Sequence, residues 1–215
     1  MAALLLDVDG HAIEITHPDK VVMPDGVTKG AIARYYQRIG PVMLPHVRDR
    51  ALTTVRYPQG ITGKGFFSKE APAHFPPWIR RVAVPKKGGV VHHVVVDRVA
   101  TLVYLAQQNM VTPHVPLVSA DLDHPDRFVV DLDPSVDDFA SVQAMALAVR
   151  DLLEAAHLEA FAQVTGSKGI HVVAPLDGSA SWGDVERFAA AVGGRLLAEH
   201  PDTLTGEVLK ADRGG

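Results

Sequence analysis

The chain has 215 residues, 47% of them apolar, and its 25 acidic side chains exceed its 21 lysines and arginines, for a net charge of −4. This length predicts one domain, spanning 1–215, with a sizeable core. The absence of cysteine excludes disulfides, thiolate metal sites and thiol nucleophiles. The chain starts without a secretion signal, and no apolar run approaches the roughly 20 residues that span a bilayer, so we expect no membrane partner. A nucleic-acid binder with this charge must concentrate its basic residues locally.

The first half of the sequence predicts two hairpins, two helices and a long loop. Asp9 and Gly10 stand between two short apolar runs and predict a tight hairpin turn. Thr28 is the predicted N-cap of a helix that we expect to end at Gly40 and Pro41. The further predicted elements are a strand at 51–57, a glycine- and proline-rich loop at 58–77, a hairpin with strands at 78–84 and 90–96, and a helix at 97–108.

The second half predicts more strands and the best-patterned helix. That helix follows acids at 137–138, with apolar residues at helical spacing from Phe139 to Leu152. The other predicted elements are strands at 114–118, 127–133, 160–165, 170–176 and 204–210, and a helix at 181–198. Hairpins mixed with a few helices predict an α+β fold of largely antiparallel sheets with flanking helices.

The tripeptide Asp-x-Asp occurs three times, and two of the copies are interpreted as structural. Asp7 and Asp9 end an apolar run, as in an aspartate-nucleophile phosphohydrolase, but such a motif needs a parallel strand that leads into a loop or helix. A returning strand follows instead, which favours a hairpin turn. Asp121 and Asp123 lie in a polar segment that favours a solvated loop.

The third copy, Asp131 and Asp133, ends the apolar run "RFVVDLD". Residues i and i+2 of a strand point to the same face, about 6.6–7 Å apart along the chain. Two carboxylates so placed can share a pair of cations about 3.5–4 Å apart, the arrangement used for nucleotidyl transfer. A metal would also offset the repulsion between the acids. The alternative is an exposed sheet end with two solvated acids.

The segment "VTGSKGIHVVAPL" is the candidate phosphate loop. Its two glycines allow backbone amides to turn toward an anion, Lys168 adds a positive charge, and Thr165 and Ser167 can donate hydroxyl hydrogen bonds. The alternative is an ordinary glycine turn between two strands. The segment lacks the spacing of a Walker loop.

One histidine and two aromatic residues complete the candidates that the residues themselves indicate. His114, at the start of a predicted strand, could face the acids, although a lone histidine is more often structural. Phe66 and Phe67 stand in the long loop, where paired aromatics could stack on a base or fold back onto the core.

In this order, these motifs resemble the polymerase domain of bacterial ATP-dependent DNA ligase D and its stand-alone relatives in the archaeo-eukaryotic primase superfamily. The match is nearly collinear from about Thr16 to the C-terminus. Its segments are "THPDKVVMPDGVTKGAIARYY", "GKGFFSKEAPAHFPPW", "HVPLVSADLDHPDRFVVDLDP", "TGSKGIHVVAPL" and "EVLKADRGG". The resemblance implies a primase-polymerase catalytic core that performs template-directed nucleotidyl transfer, in gap filling during end-joining repair, by a two-metal mechanism.

The resemblance also implies roles for single residues. Asp131 and Asp133 would be catalytic and hold Mg²⁺ or Mn²⁺. The residues implied to bind the nucleotide are His114, Thr165, Ser167, Lys168, Phe67 and Arg213. The residues implied to bind the 5′-phosphate of a downstream strand are His17, Lys20 and Lys29. Without the resemblance, the two lysines are expected to be solvated surface residues.

The implied partners are DNA with 5′-phosphorylated ends or gaps, a ribo- or deoxyribonucleoside triphosphate, a DNA ligase and an end-binding repair protein, in the nucleoid of the bacterial cytoplasm. Two departures from the family pattern matter. Val55 stands where many relatives have a lysine, and the family's third metal-binding aspartate follows "RGG", where this chain stops. We therefore expect a domain that lacks its C-terminal portion and has poor or no polymerase activity. The main alternative is a non-catalytic module that binds 5′-phosphorylated DNA ends.

Overall fold

The computed structural model describes residues 2–119, 121–134 and 138–201. The chain divides into two compact units, Met1–Ala120 and Asp121–Gly215, each with its own hydrophobic core. The strands of all three described sheets pair antiparallel, and helices flank the sheets, so the predicted α+β fold is confirmed. The assignment of 1–215 to a single domain stays a prediction. Within the described ranges, no helix is long and apolar enough to cross a membrane.

The predicted hairpin at the start of the chain is confirmed. Strands β1 (Leu4–Val8) and β2 (His11–Ile15) are joined by Asp9 and Gly10, whose φ angles of 53° and 75° are the left-handed values that a tight hairpin turn requires. The Asp9 carboxylate accepts a hydrogen bond of 2.9 Å from the backbone N–H of Ala100, in the first turn of helix α2 (Val99–Gln107). Arg98, at the N-cap of α2, makes no side-chain cap, so Asp9 supplies one from outside the helix.

Helix α1 (Lys29–Val47) begins as predicted, because the Thr28 hydroxyl accepts a hydrogen bond from the Ala31 N–H. The predicted end at Gly40 was wrong, since the helix continues through Pro41 and Pro45. Gly40 lets α1 approach α2 closely: a Cβ there would lie 2.3 Å from Val99 Cγ1. We attribute the continuation of α1 past Pro41 to this close packing against α2, since a proline inside a helix otherwise breaks or kinks it.

The first unit also holds a five-stranded sheet built around one central strand. Its strands are β3 (Ala51–Arg56), β4 (Phe66–Ser68), β5 (Arg81–Lys86), β6 (Gly89–Val95) and β7 (Met110–His114). Strand β3 pairs with β4, β6 and β7. Strand β4 lies inside the segment predicted as a loop. Leu52 and Met110, both 1% exposed, mark the face of this sheet that packs on the core.

The second unit is a three-stranded sheet with two helices. Its elements are β8 (Arg127–Leu132), α3 (Phe139–Ala155), β9 (Phe161–Val164), β10 (Ile170–Pro175) and α4 (Trp182–Glu199). The strand order is β8-β10-β9. Asp138 caps α3 by accepting from two backbone N–H groups, and Ser181 forms a capping box with Asp184 at the start of α4. The strand predicted at 204–210 lies outside the described residues.

Candidate active site and nucleic-acid interface

Asp131 lies in strand β8, and Asp133 follows directly after its last residue, Leu132. Phe128 is buried, and Val130 and Leu132 pack against the same core, so the intervening positions face away from it. Both aspartates are exposed. This alternation is the arrangement that the i, i+2 spacing predicted.

The Asp133 carboxylate lies directly against the 165–169 turn, which joins β9 to β10. A Cβ added at Gly169 would come within 2.7 Å of Asp133 Oδ1 and 2.9 Å of the Leu132 carbonyl oxygen. Only glycine leaves room for the carboxylate at this point. The carboxylate pair and the candidate phosphate loop, which are over 30 residues apart in the sequence, therefore adjoin at one end of the sheet.

The turn is closed by its own hydrogen bonds. The Gly169 carbonyl accepts from the Thr165 backbone N–H at 3.2 Å and from the Thr165 hydroxyl at 3.1 Å, and Gly166 has a φ of 82°. Ser167 and Lys168 are exposed at the tip. Thr165 thus shapes the turn, and to donate to a phosphate its hydroxyl must leave the Gly169 carbonyl.

His171 belongs to the site, although sequence reasoning did not select it. It stands directly opposite Asp131 in the β8–β10 register, and its Nε2 lies 3.2 Å from Asp131 Oδ1. The side chains are 34% and 60% exposed, respectively. The available signal was the position of His171 at the start of a strand that follows the glycine turn, but its partner could be identified only once the strand register was known.

The donor set suits a hard divalent cation. Carboxylate oxygens are the ligands that Mg²⁺ and Mn²⁺ prefer, and Mg²⁺ is commonly held by one or two carboxylates together with substrate phosphates. In the part of the chain that the structure describes, no group of three or more histidine, aspartate or glutamate side chains is placed to hold a metal. Asp131 and Asp133 therefore fit a cation whose remaining ligands come from substrate and water.

In the first unit, Phe67 and His114 pack together on the sheet face that points away from the core. Phe67 pairs with Val55 and His114 with Thr53, so the two rings project from neighbouring strands on either side of β3. The ring centroids of Phe67 and His114 are 5.5 Å apart in an edge-to-face contact, and Phe67 is 69% exposed. The exposed Phe67 ring therefore has surface left for a planar ligand to stack on. Phe66 instead lies under the Arg56 guanidinium, 5.6 Å from its ring centroid.

The expectation that both N-terminal lysines are solvated was wrong for Lys29, which is only 5% exposed. Its ammonium donates a 3.4 Å hydrogen bond to the Thr16 hydroxyl, which also accepts from Gln107. Burial, reinforced by repulsion from Lys20, lowers the pKa of Lys29 from 10.5 to about 8. A partly desolvated ammonium at the first turn of α1 favours binding of an anion.

Backbone hydrogen bonds bring His17 and Lys20 to the same helix end. The Lys20 N–H donates to the His17 carbonyl at 3.1 Å, and the Lys29 N–H donates to the Lys20 carbonyl at 2.8 Å. His17 has a φ of 52° and is exposed. The three residues predicted to hold a 5′-phosphate therefore cluster at the N-terminus of α1.

The residues predicted to bind the nucleotide divide between the two units. Phe67 and His114 belong to the first, and Thr165, Ser167 and Lys168 belong to the second. Arg213 lies outside the described residues. Asp121, by contrast, is confirmed as a loop residue: its carboxylate accepts from the Asp123 N–H at 2.9 Å and contacts His124 at 2.8 Å.

Comparison with known proteins gives a family. The model of the family described as "LigD, primase-polymerase domain" matches residues 28–215. The chain is 34% identical over 214 residues to the multifunctional non-homologous end joining DNA repair protein LigD of Mycobacterium tuberculosis, a match that covers 94% of this chain and 28% of that protein. It is 28% identical over 204 residues to the bifunctional LigD of Bacillus subtilis, covering 94% and 33%. The chain thus spans about a third or less of these relatives.

A solved structure agrees with both matches. The polymerase domain of Mycobacterium tuberculosis ligase D, in complex with DNA, superposes with a TM-score of 0.89 at 34% identity, covering 94% of this chain and 75% of that one. The family match extends over most of the sequence, and the resemblance seen in the motifs is confirmed. The chain belongs to the LigD primase-polymerase domain family.

Proposed function

We propose that this chain is a DNA-directed nucleotidyltransferase that adds nucleotides to a primer in gaps or at ends with a downstream 5′-phosphate. Family membership supports the reaction class. The observation that carries the proposal is the position of the Asp133 carboxylate against the turn that bears Lys168, on the sheet face shared with Asp131. A cation site and a phosphate site must adjoin if a nucleotide tail is to be bound and cleaved.

Asp131 and Asp133 would hold Mg²⁺ or Mn²⁺ together with the substrate phosphates. Such ions activate the attacking hydroxyl and neutralise charge on the leaving pyrophosphate. His171 contacts Asp131 Oδ1 and orients that carboxylate, a role that partners of metal ligands commonly have. This assignment makes His171 a positioning residue.

The 165–169 turn binds the triphosphate in this proposal. Lys168 contributes a positive charge, and Ser167 and the turn amides donate hydrogen bonds as charge develops on the phosphate oxygens. Thr165 keeps the turn in shape through its bonds to Gly169. The exposed ring of Phe67 stacks on a base, and His114 contacts that ring and donates to the nucleotide.

His17, Lys20 and Lys29 bind the 5′-phosphate of the downstream strand. The clustering of two ammonium groups at a helix N-terminus supports this role, since backbone N–H groups and the helix dipole add to the attraction. DNA with 5′-phosphorylated ends or gaps is therefore the proposed partner, in the bacterial nucleoid. A DNA ligase and an end-binding repair protein are the further partners that an end-joining role implies.

A second function, DNA-end binding without catalysis, is favoured by one observation. Lys29 is buried and its pKa lowered within the first unit alone, so the phosphate site needs nothing from the carboxylates of the second. The need for a third metal-binding aspartate beyond "RGG" stays a prediction.

Two measurements on one set of DNAs separate these functions. A gapped duplex with a 5′-phosphate and its 5′-hydroxyl counterpart are compared for affinity, and Mn²⁺-dependent incorporation of one nucleotide is then followed on each. A polymerase prefers the phosphorylated gap and incorporates the templated nucleotide. If the chain prefers the phosphorylated gap but neither incorporates a nucleotide nor binds one in the presence of Mn²⁺, the result supports the end-binding module. Absence of both activities contradicts both functions.

A further inference from the structure

The 57–65 segment, which leads into the Phe66–Ser68 strand, is a compact loop. Its ends meet: a Cβ on Gly65 would lie 2.5 Å from the Tyr57 ring. Inside it, the Gly60 N–H donates to the Tyr57 carbonyl at 3.1 Å and the Gly63 N–H to the Gly60 carbonyl at 3.0 Å. A loop whose ends lie close together and that packs on its own side chains is a compact surface element.

Two contacts attach this loop to the segment that carries the proposed phosphate-binding lysine. The Lys20 ammonium donates to the Pro58 carbonyl. The Ile61 N–H donates to the Val22 carbonyl at 2.8 Å, and Gly60, with a φ of 86°, lies so close that a Cβ there would be 3.0 Å from the same carbonyl oxygen. The loop is thus fastened at one side to residues 20–22.

At its other end the loop continues directly into β4, so its position determines where the Phe66 and Phe67 side chains begin. Strand β4 is three residues long and pairs only with Arg56, Val55 and Thr54 of β3. An open depression of about 250 Å³ lies along the loop. It is lined by Pro58, Gln59, Lys64, Gly65 and Phe66. Because the strand is short and open space lies beside the loop, a shift of the loop can move Phe66 and Phe67.

A phosphate competes directly with the Pro58 carbonyl for Lys20. The phosphate oxygens carry negative charge and the Pro58 carbonyl does not, so the ammonium is attracted more strongly to the phosphate. A bound 5′-phosphate therefore draws the Lys20 ammonium away from the loop. The loop then keeps only the Ile61–Val22 hydrogen bond to residues 20–22, while the Tyr57 N–H still donates to the Asn109 carbonyl at 2.9 Å.

We propose that the 57–65 loop couples recognition of the downstream 5′-phosphate at Lys20 to the placement of Phe67 against the incoming or templating base. Pro58 and Gly60 act as positioning residues, since they touch neither DNA nor nucleotide in this scheme. The inference rests on the proposed function, because it needs both a phosphate at Lys20 and a base at Phe67. It adds that the two sites are energetically linked within one unit.

The test measures nucleotide affinity without turnover. A gapped duplex with a dideoxy-terminated primer, carrying either a 5′-phosphate or a 5′-hydroxyl, is held at saturation, and the templated nucleoside triphosphate is titrated calorimetrically with Mn²⁺. We expect the Kd of the nucleotide to differ at least fivefold between the two DNAs. An equal Kd on both would overturn the coupling.

The matched variants are Gly60→Ala and Gly178→Ala. Both place alanine at a positive φ, but only Gly60 has backbone within reach of the added Cβ, and Gly178 lies in the other unit. In Gly60→Ala, the Kd of the nucleotide should differ less than twofold between 5′-phosphorylated and 5′-hydroxyl DNA. The variant should still bind the 5′-phosphorylated DNA more tightly. Gly178→Ala should keep the full effect. A difference in nucleotide Kd as large in Gly60→Ala as in the wild type would contradict the proposal.

Hydrogen exchange of the wild-type chain provides a second measurement, which stands even if Gly60→Ala does not fold. The Ile61 amide should exchange at least threefold faster on 5′-phosphorylated DNA than on 5′-hydroxyl DNA, and an unchanged rate would contradict loosening of the loop. These outcomes are distinct from failure of the proposed function. In that case the wild-type chain shows no preference for 5′-phosphorylated DNA, and the phosphate site itself is wrong.

Discussion

The two units treat their charged residues in opposite ways. In the first unit, Lys29 is buried in the first turn of α1, and its pKa is lowered to about 8. In the second, Asp131 and Asp133 are exposed at the end of β8, and the Asp131 side chain keeps 60% of its accessible surface. Each unit nevertheless presents its charge beside a backbone feature that suits phosphate, a helix N-terminus in one and a glycine turn in the other.

The difference shows two ways to prepare a site for a charged ligand. A buried ammonium has lost hydration before the ligand arrives, so a phosphate meets a group that gains from pairing. Exposed carboxylates retain their water, which costs folding little and leaves them accessible to a cation. The first arrangement reduces the stability of the empty protein, and the second does not.

The largest effect is expected from Asp131→Asn. Loss of one carboxylate should lower Mn²⁺-dependent nucleotide incorporation by at least about 100-fold, because transition-state charge is then poorly neutralised. The 5′-phosphate preference, which arises in the other unit, should be unchanged. Single-turnover incorporation and DNA affinity are the two measurements.

Asp121→Asn is the matched control, since Asp121 is an exposed aspartate of another Asp-x-Asp tripeptide in the same unit. It should leave incorporation within about twofold of wild type, as surface substitutions usually do. Equal losses of nucleotide incorporation in the two variants would show that Asp131 does not belong to the catalytic site.

Lys29→Met should separate binding from stability. Removal of a charge-assisted hydrogen bond should reduce the preference for 5′-phosphorylated over 5′-hydroxyl DNA by about 10- to 100-fold. The same change should raise the free energy of unfolding at pH 7, since it removes a desolvated ammonium. Lys87→Met, at an exposed hairpin turn, should change neither the preference for 5′-phosphorylated DNA nor the free energy of unfolding. A variant that binds as wild type would contradict the phosphate site.

The pH dependence of stability follows from the same residue. The pKa of Lys29 is about 8 in the folded chain and 10.5 when unperturbed, so between these values the unfolded chain binds more protons. Stability from this group therefore increases as pH rises from about 8 to 10.5, by about 3 kcal/mol, and the penalty is fully present below pH 8. Urea unfolding at pH 7.5, 9 and 10.5, compared with Lys29→Met, measures it. A matching pH profile in the variant would assign the change to other groups.

Phe67→Ala should have an intermediate effect. Loss of base stacking is worth about 1–3 kcal/mol, so the KM for the nucleotide should rise about 10-fold. Because Phe67 is 69% exposed, stability should change little. Val90→Ala, an exposed strand residue in the same unit, serves as the control. A large loss of stability without a change in KM would make Phe67 a packing residue.

The smallest effect is expected from Asp9→Ala. It removes the carboxylate that caps α2 and should lower the free energy of unfolding by about 1 kcal/mol without altering incorporation. Asp7→Ala, in the same tripeptide, should change stability by less than about 0.5 kcal/mol. Phosphatase activity lost on Asp7→Asn would instead revive the phosphohydrolase interpretation.

Local patterns predicted the parts of the fold that local chemistry determines. The hairpin at Asp9 and the shared face of Asp131 and Asp133 follow from turn geometry and from the two-residue period of a strand. The end of α1 was missed because close packing of Gly40 on Val99 outweighs the local effect of Pro41. Strand β4 was missed because three residues carry no period, and only the pairing with β3 defines it.

Burial and register limited what could be predicted of the candidate site. No local pattern distinguishes Lys29 from an exposed lysine. Its ammonium contacts Thr16, which is bonded in turn to Gln107, and both partners lie elsewhere in the chain. The contact of His171 with Asp131 joins residues 40 positions apart through strand register. The resemblance to a known family identified the lysines, but burial gives Lys29 its lowered pKa.

The N-terminal hairpin has a practical consequence for anyone designing a shorter version for expression. The family match starts at residue 28, yet Leu6, Ile13 and Ile15 of the hairpin are at most 5% exposed in the core of the first unit. A fragment trimmed to the matched segment would strip these side chains from the interior and take the α2 cap with them. Its boundary is better drawn by what the interior contains than by where sequence similarity begins.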